Sequence, residues 1–293
     1  MNVLRNVLEI LRHDKKPIRR IIGKIIMKLP FDLGKVFHIT IKIQDYFIYF
    51  NKSSLALSFW YNPDDRVSDY MFFTSYLKTN DTYIDIGANI GTTLIPAAKI
   101  VKGGKVIGFE PHPKIYKYLT ANVSLNNMEN RVEIQNCALG KERGYVHFSS
   151  YRADDENKVL LAGDGIKVPI KLLDDIGDMY TCINLIKIDV EGYEKFVIDG
   201  GIKTLKKTDC VYFEVSEEMS GSYRYTMKDL LLSLEEIGFH IFVQKEPKIL
   251  EAINFDYKLD THHTNAFAIR NIKHFLERTG WHIYDDIKYS KIK

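Results

Sequence analysis

Tyr83-Ile84-Asp85-Ile86-Gly87-Ala88-Asn89-Ile90-Gly91-Thr92 reads as an apolar strand, a glycine turn and the start of a helix, and a second apolar run ends at Glu110. A strand, tight turn and helix followed by an acid at the end of the next strand is an arrangement that holds a nucleoside. The turn lets backbone approach the ligand, and the acid accepts hydrogen bonds from ribose hydroxyls. Dinucleotide sites carry Gly-x-Gly-x-x-Gly, whose central glycine admits a pyrophosphate; here that position is Asn89, and the turn is opened by Asp85. A carboxylate there repels pyrophosphate but suits a ligand bearing an ammonium and a sulfonium. The stretch therefore predicts an S-adenosylmethionine site built from Asp85, Gly87, Ala88, Asn89, Gly91, Thr92 and Glu110.

From residue 80 onward apolar strands alternate with helical patterns, which predicts an α/β, doubly wound, Rossmann-like sheet covered on both faces. The expected strands are 83–86, 105–110, 132–136, 185–189 and 210–214, with two more at 240–244 and 265–270 joined by a long loop. The expected helices are 91–101, 113–126, 192–205 and 226–237, and residues 141–180 read as an insertion with short strands at 145–149 and 168–172. In open parallel sheets the ligand lies beyond the carboxyl ends of the strands. That places Asn136 and Ala138, after the third strand, beside an adenine. It also draws attention to Ile186-Lys187-Ile188-Asp189-Val190-Glu191-Gly192-Tyr193-Glu194, where a strand runs into carboxylates at the same edge. Asp189, Glu191 and Glu214 are the candidate bases for an oxygen acceptor, and Glu194 is equally accounted for as a first-turn acid favoured by the helix dipole. Asp189 with Glu214 offers hard oxygen ligands to a divalent metal, although no spacing demands one. His262 and His263 precede the last strand and form a separate candidate pair, unless they are simply surface residues.

At these positions the chain resembles the FkbM-type family of S-adenosylmethionine-dependent methyltransferases. The resemblance rests on Asp85 to Gly91, Phe109-Glu110-Pro111, Ala121-Asn122 through Asn126, Leu173-Asp174-Asp175 and, most specifically, Ile186 to Gly192 with Glu194. It covers roughly residues 80–215. It implies the seven-stranded methyltransferase sheet with an antiparallel last strand, and O-methylation of a sugar, glycan or small-molecule hydroxyl. Two parts are expected: an N-terminal extension over 1–79 and a methyltransferase domain over 80–293.

With 293 residues and 45% apolar content the chain can bury a full core. Its apolar runs are too short and too charged to span a bilayer, and its start lacks a signal-peptide pattern, so a cytoplasmic location is expected. Cys137, Cys182 and Cys210 lie far apart in apolar runs without metal-ligand spacing and read as reduced core residues. The net charge is +3, but residues 1–30 hold eight basic and two acidic side chains, so +6 sits there and −3 on the rest. Nucleic acid is therefore an unfavoured partner, and neither Asn-Pro-Pro-aromatic nor Pro-Cys occurs. Between Pro17 and Pro30 an isoleucine face opposes Arg19, Arg20, Lys24 and Lys28. Such a helix either packs its isoleucines on its own domain or a twin subunit, or lies on an anionic membrane as a peripheral contact. Residues 38–50 read as a hairpin around Gln44-Asp45. The aromatic-rich segment 60–76 reads as core or as the wall of a substrate cleft.

Overall fold

The structure, a computed structural model, describes residues 16–284 apart from 31, 33, 35, 65, 152–153 and 255–263. The histidine pair 262–263 lies outside the described residues. Strands β1 (His38–Ile41) and β2 (Tyr46–Tyr49) form the expected hairpin, and helices Ser54–Tyr61 and Val67–Tyr76 lead into β3 (Thr82–Ile86). β4 (Lys105–Phe109) and β5 (Val132–Gln135) follow. Four short strands come next: β6 (Ala138–Leu139), β7 (Gly144–Phe148), β8 (Val159–Leu160) and β9 (Ile166–Lys171). The chain then resumes the main sheet with β10 (Ile183–Ile188), β11 (Thr208–Val215), β12 (His240–Glu246), β13 (Ile249–Ile253), β14 (Thr264–Ile269) and β15 (His282–Ile283).

The main sheet has the order β15-β13-β12-β14-β11-β10-β3-β4-β5. β5, β4, β3, β10 and β11 are parallel, while β14 runs antiparallel to both β11 and β12. This contains the seven-stranded order with its antiparallel last strand. It is extended because residues expected in a loop form β13, which pairs antiparallel with β12 and carries β15 at its edge. Leu250 and Ile253 are buried there, so apolar burial rather than turn chemistry decided that segment.

Successive residues alternate between the two faces. Tyr83 and Leu185 belong to one hydrophobic cluster, whereas Ile84, Ile86, Ile186 and Ile188 belong to the other. Phe72, Phe73 and Tyr76 of the aromatic segment are core, and Phe72 packs against Tyr212, Phe267, Phe275 and Trp281. Three strands of the insertion join β6, just before it, in a separate four-stranded sheet, order β6-β9-β7-β8. The helix expected over 192–205 is two helices, Glu194–Asp199 and Ile202–Lys206. They break at Gly200-Gly201, where a Cβ on Gly200 would lie 1.9 Å from the Gly140 carbonyl oxygen. Cys137 and Cys210 are buried, but Cys182 is exposed in the turn before β10.

The N-terminal helix, Pro17–Ile26, packs only part of its apolar face, with Ile26 against the core, and leaves the rest outward. Ile18, Ile22 and Ile25 are 69%, 45% and 59% exposed. Gly23 instead faces Leu57 and Trp60 so closely that a Cβ would meet them at 2.6 and 2.7 Å. Arg19 and Arg20 stack over Trp60 and Tyr61 at 4.6 and 5.0 Å, and Trp60 Nε1 donates to the Arg19 carbonyl at 2.8 Å. Aromatic rings opposite a small residue favour arginine stems over isoleucine on the packed side.

Candidate functional site

The glycine turn after β3 is built from backbone geometry that its residues tolerate. Gly87 and Gly91 have φ of +86° and +94°, and Asn89, the residue type most at ease there after glycine, has φ of +46°. A Cβ on Gly87 would lie 1.9 Å from the Asp189 carbonyl oxygen, and the Asp189 amide donates to the Ile86 carbonyl at 3.0 Å. The turn and the end of β10 are thus in backbone contact. Glu110 ends β4 with both oxygens held: the Asn89 amide donates to Oε2 at 3.0 Å and the His112 amide to Oε1 at 2.8 Å. A buried carboxylate fixed by two N–H groups presents its oxygens in defined directions, as recognition of two neighbouring hydroxyls requires.

Several predicted residues act behind this surface. Asp85 is fully buried under the turn. It accepts from Thr93 Oγ1 at 2.7 Å and stands 3.7 Å from Lys187 Nζ. Burial pushes its carboxyl up, while Lys187 and Thr93 pull it down. Asn136 donates to the Glu110 and Pro111 carbonyls at 2.8 and 3.0 Å, locking the loop that presents Glu110. Asn122 Nδ2 donates to the Ile90 carbonyl at 2.8 Å, and its Oδ1 accepts from the Tyr49 amide at 2.8 Å, so it ties the turn to the hairpin. Asp174 caps the helix 202–206, accepting from the Thr204 amide and hydroxyl, both at 2.8 Å.

The second motif forms the opposite wall. Lys187 is buried in a strand whose neighbours are isoleucines, with Nζ 2.9 Å from Asp189 Oδ2. Burial disfavours its ammonium, yet Asp189 and Asp85 outweigh that and raise its pKa. Glu191 and Gly192 follow in the left-handed region, with φ of +57° and +93°. Burial, then the charges of Asp189 and Glu214, push Glu191 up to about 9. Glu194 is buried beneath this turn: Oε1 accepts from the Val190 and Gly192 amides at 3.1 and 3.3 Å, and burial raises its pKa to about 7. It serves as the turn's brace. Among the described residues, Asp189, Glu191 and Glu214 bring carboxylate oxygens within 4.8 Å of one another, a set that could hold a divalent cation.

Between the two walls lies a cavity enclosing about 790 Å³ of non-protein space, its open mouth included. Of the predicted residues, Gly87, Ala88, Asn89, Thr92, Glu110, Ala138, Asp189 and Glu191 line it; Asp85, Gly91, Asn136 and Glu214 do not. Phe109, Cys137, Leu139 and Phe148 add an apolar wall. Five polar lining residues were not foreseen: Arg66, Thr93, Asp155, Asn157 and Lys187. Lys187 did carry a signal, because a lysine inside an apolar strand is buried and needs carboxylate partners. Arg66 reaches Asp189 from 3.9 Å, and Asp155 accepts from Ser54 Oγ at 2.6 Å. Arg66 precedes the helix Val67–Tyr76 and Asp155 lies in a single 3-10 turn, Asp154–Glu156, and neither has a local pattern to announce it.

Residues 85–241, more than half of the chain, match the family described as "Methyltransferase FkbM domain". The chain belongs to the FkbM methyltransferase family. Its similarity to Methyltransferase sdnD of Sordaria araneosa is 25% identity over 187 residues, 52% of this chain and 71% of that one. To the tRNA(Phe) (4-demethylwyosine(37)-C(7)) aminocarboxypropyltransferase of Methanocaldococcus jannaschii it is 31% over 105 residues, spanning 33% of this chain and 41% of that protein. The crystal structure of Methyltransferase FkbM from Methylobacillus flagellatus superposes with a TM-score of 0.43 at 18% identity, covering 66% of this chain and 44% of that one. The last two comparisons reach less than half of the partner's length, and the superposition is too loose to add to the family match. In this FkbM chain the matched segment contains both walls of the cavity except for Leu55 and Arg66, which come from the N-terminal part.

Proposed function

We propose that this chain transfers a methyl group from S-adenosylmethionine to a hydroxyl oxygen of a sugar, glycan or other small molecule, with Asp189 as the general base. The observation that carries this reading is the backbone contact between Gly87 and Asp189. It joins the cofactor turn to a cavity-lining carboxylate, and in-line transfer depends on such alignment. The residues present fit the cofactor. Glu110 is preset for the ribose hydroxyls, the apolar wall around Phe109, Cys137 and Ala138 accepts a flat base, and the small residues 87–88 leave room for the methionine end. When bound, S-adenosylmethionine supplies an electrophilic methyl carbon.

The chain's own residues then divide the remaining work. Asp189 accepts the hydroxyl proton, and the Lys187 ammonium at 2.9 Å orients it. Glu191, with its pKa near 9, keeps its proton at neutral pH and serves as a donor rather than a competing base. Glu214 stands behind the lining. The acidic trio would suit a hard cation, but Lys187 already brings positive charge to Asp189, and no step here is assigned to a metal. A nucleic-acid acceptor fits less well. The cavity's cations, Arg66 and Lys187, already face Asp69, Asp85 and Asp189, which leaves them poorly placed to line a phosphate track.

Incubation with methyl-labelled cofactor and fractionated cell extract tests this reading. Label is expected in a glycan or small-molecule fraction. Asp189→Asn should lower turnover by about 10²–10⁴-fold while S-adenosylhomocysteine still binds. Label entering RNA, or full turnover in that variant, refutes the assignment.

A further inference from the structure

Helix Pro17–Ile26 is held by one face and offers the other to the surroundings. Ile18, Ile22 and Ile25, one helical stripe, are 69%, 45% and 59% exposed, although isoleucine is among the side chains most often buried. Rolling the helix to hide them would break the Trp60 bond to the Arg19 carbonyl and both arginine stacks, and would lift Gly23 from Leu57 and Trp60. The outward orientation is therefore built in.

We propose that this face docks the protein on an anionic lipid bilayer. Residues 16–30 carry five basic side chains and no acid, and Lys16 and Lys28 stand exposed at the two ends of the stripe. An apolar stripe bordered by lysines complements a surface whose outer layer is negative and whose interior is hydrocarbon. A second copy of this chain would bring like charges together along the same stripe, which opposes self-association. The proposal is independent of which acceptor the cavity takes.

Flotation of the full chain with vesicles tests it. The vesicles are phosphatidylcholine alone, or phosphatidylcholine with one third phosphatidylserine. The expected result is binding to the anionic vesicles that weakens with salt and is faint on neutral ones. Reversing two lysines, Lys16→Glu with Lys28→Glu, should reduce the partition coefficient by on the order of 100-fold or more. Ile18→Ser with Ile22→Ser and Ile25→Ser should reduce it at least as far, with Tm unchanged in both variants because the altered side chains are exposed. Failure to bind anionic vesicles overturns the proposal, as does either variant floating like the parent. Two further results overturn it by naming another occupant. A dimer that the isoleucine changes dissociate makes the face an interface between copies. A marked fall in Tm shows that it is covered within the chain itself, for instance by residues 1–15.

Discussion

Replacing Gly87 by alanine tests the contact on which the site depends. Two costs combine at this position. The φ of +86° is one that an L side chain adopts at roughly 1–2 kcal/mol. The new Cβ would stand 1.9 Å from the Asp189 carbonyl oxygen, so the two backbones must part by about 1.5 Å to regain the 3.4 Å of ordinary contact. That movement strains the hydrogen bonds from Gly87 N to Phe109 O and from Asp189 N to Ile86 O, each worth about 1 kcal/mol. Together the substitution should cost about 3–4 kcal/mol of stability. Gly163→Ala is the control: φ there is +97°, yet nothing lies within 4 Å of the added atom, so only the dihedral cost applies. Urea denaturation of both variants isolates the close approach as the difference between them. Calorimetric titration with S-adenosylhomocysteine and a turnover assay should then show a Gly87→Ala loss near 10²-fold, the usual effect of an ångström's misplacement. If Gly87→Ala is no more destabilised than Gly163→Ala and still turns over, the turn and Asp189 are not coupled as described.

Two other perturbations have definite signs. Glu110→Ala should weaken cofactor binding by about 1.5–3 kcal/mol through loss of charge-assisted hydrogen bonds to the ribose, and unchanged calorimetric affinity would remove Glu110 from the site. Glu191 has a pKa raised from 4.5 to about 9 in the fold. Between those pH values the folded protein keeps a proton that the unfolded chain releases, so this residue costs stability as pH rises through the window, by at most about 1.4 kcal/mol per unit. Glu191→Gln should therefore flatten the fall of Tm between neutral and alkaline pH and raise Tm near its upper end; an unaltered Tm profile would show that the carboxyl is solvated.

The parallel core was legible because β3, β4, β10 and β11 are largely buried on both faces and so read as mainly apolar runs. β13 was hidden, since a short strand gains its stability from β12 and β15 on either side rather than from its own pattern. The family motifs turned out to be of two kinds. Glu110 and Asp189 line the cavity, whereas Asn122, Asp174 and Glu194 hold turns and helix ends in place. Sequence spacing does not separate these kinds, because a carboxylate that caps an amide and one that awaits a ligand are the same residue type. Asp85 shows the limit well. Its charge pointed to a cationic ligand, and in the fold it meets Thr93 and Lys187 instead.

The sequence by itself determined the doubly wound sheet, the glycine turn with its acid on the next strand, and the membership of the FkbM methyltransferase family, because these follow from local periodicity and from residues adjacent along the chain. Tertiary structure alone decided which carboxylates face the cavity, that Arg66, Asp155 and Asn157 join them from distant segments, and that the first helix turns Ile18, Ile22 and Ile25 outward. The reason is physical: strand and turn geometry is set by nearest neighbours, whereas the direction a side chain faces depends on what packs behind it. Here that is Gly87 against Asp189 and Gly23 against Trp60.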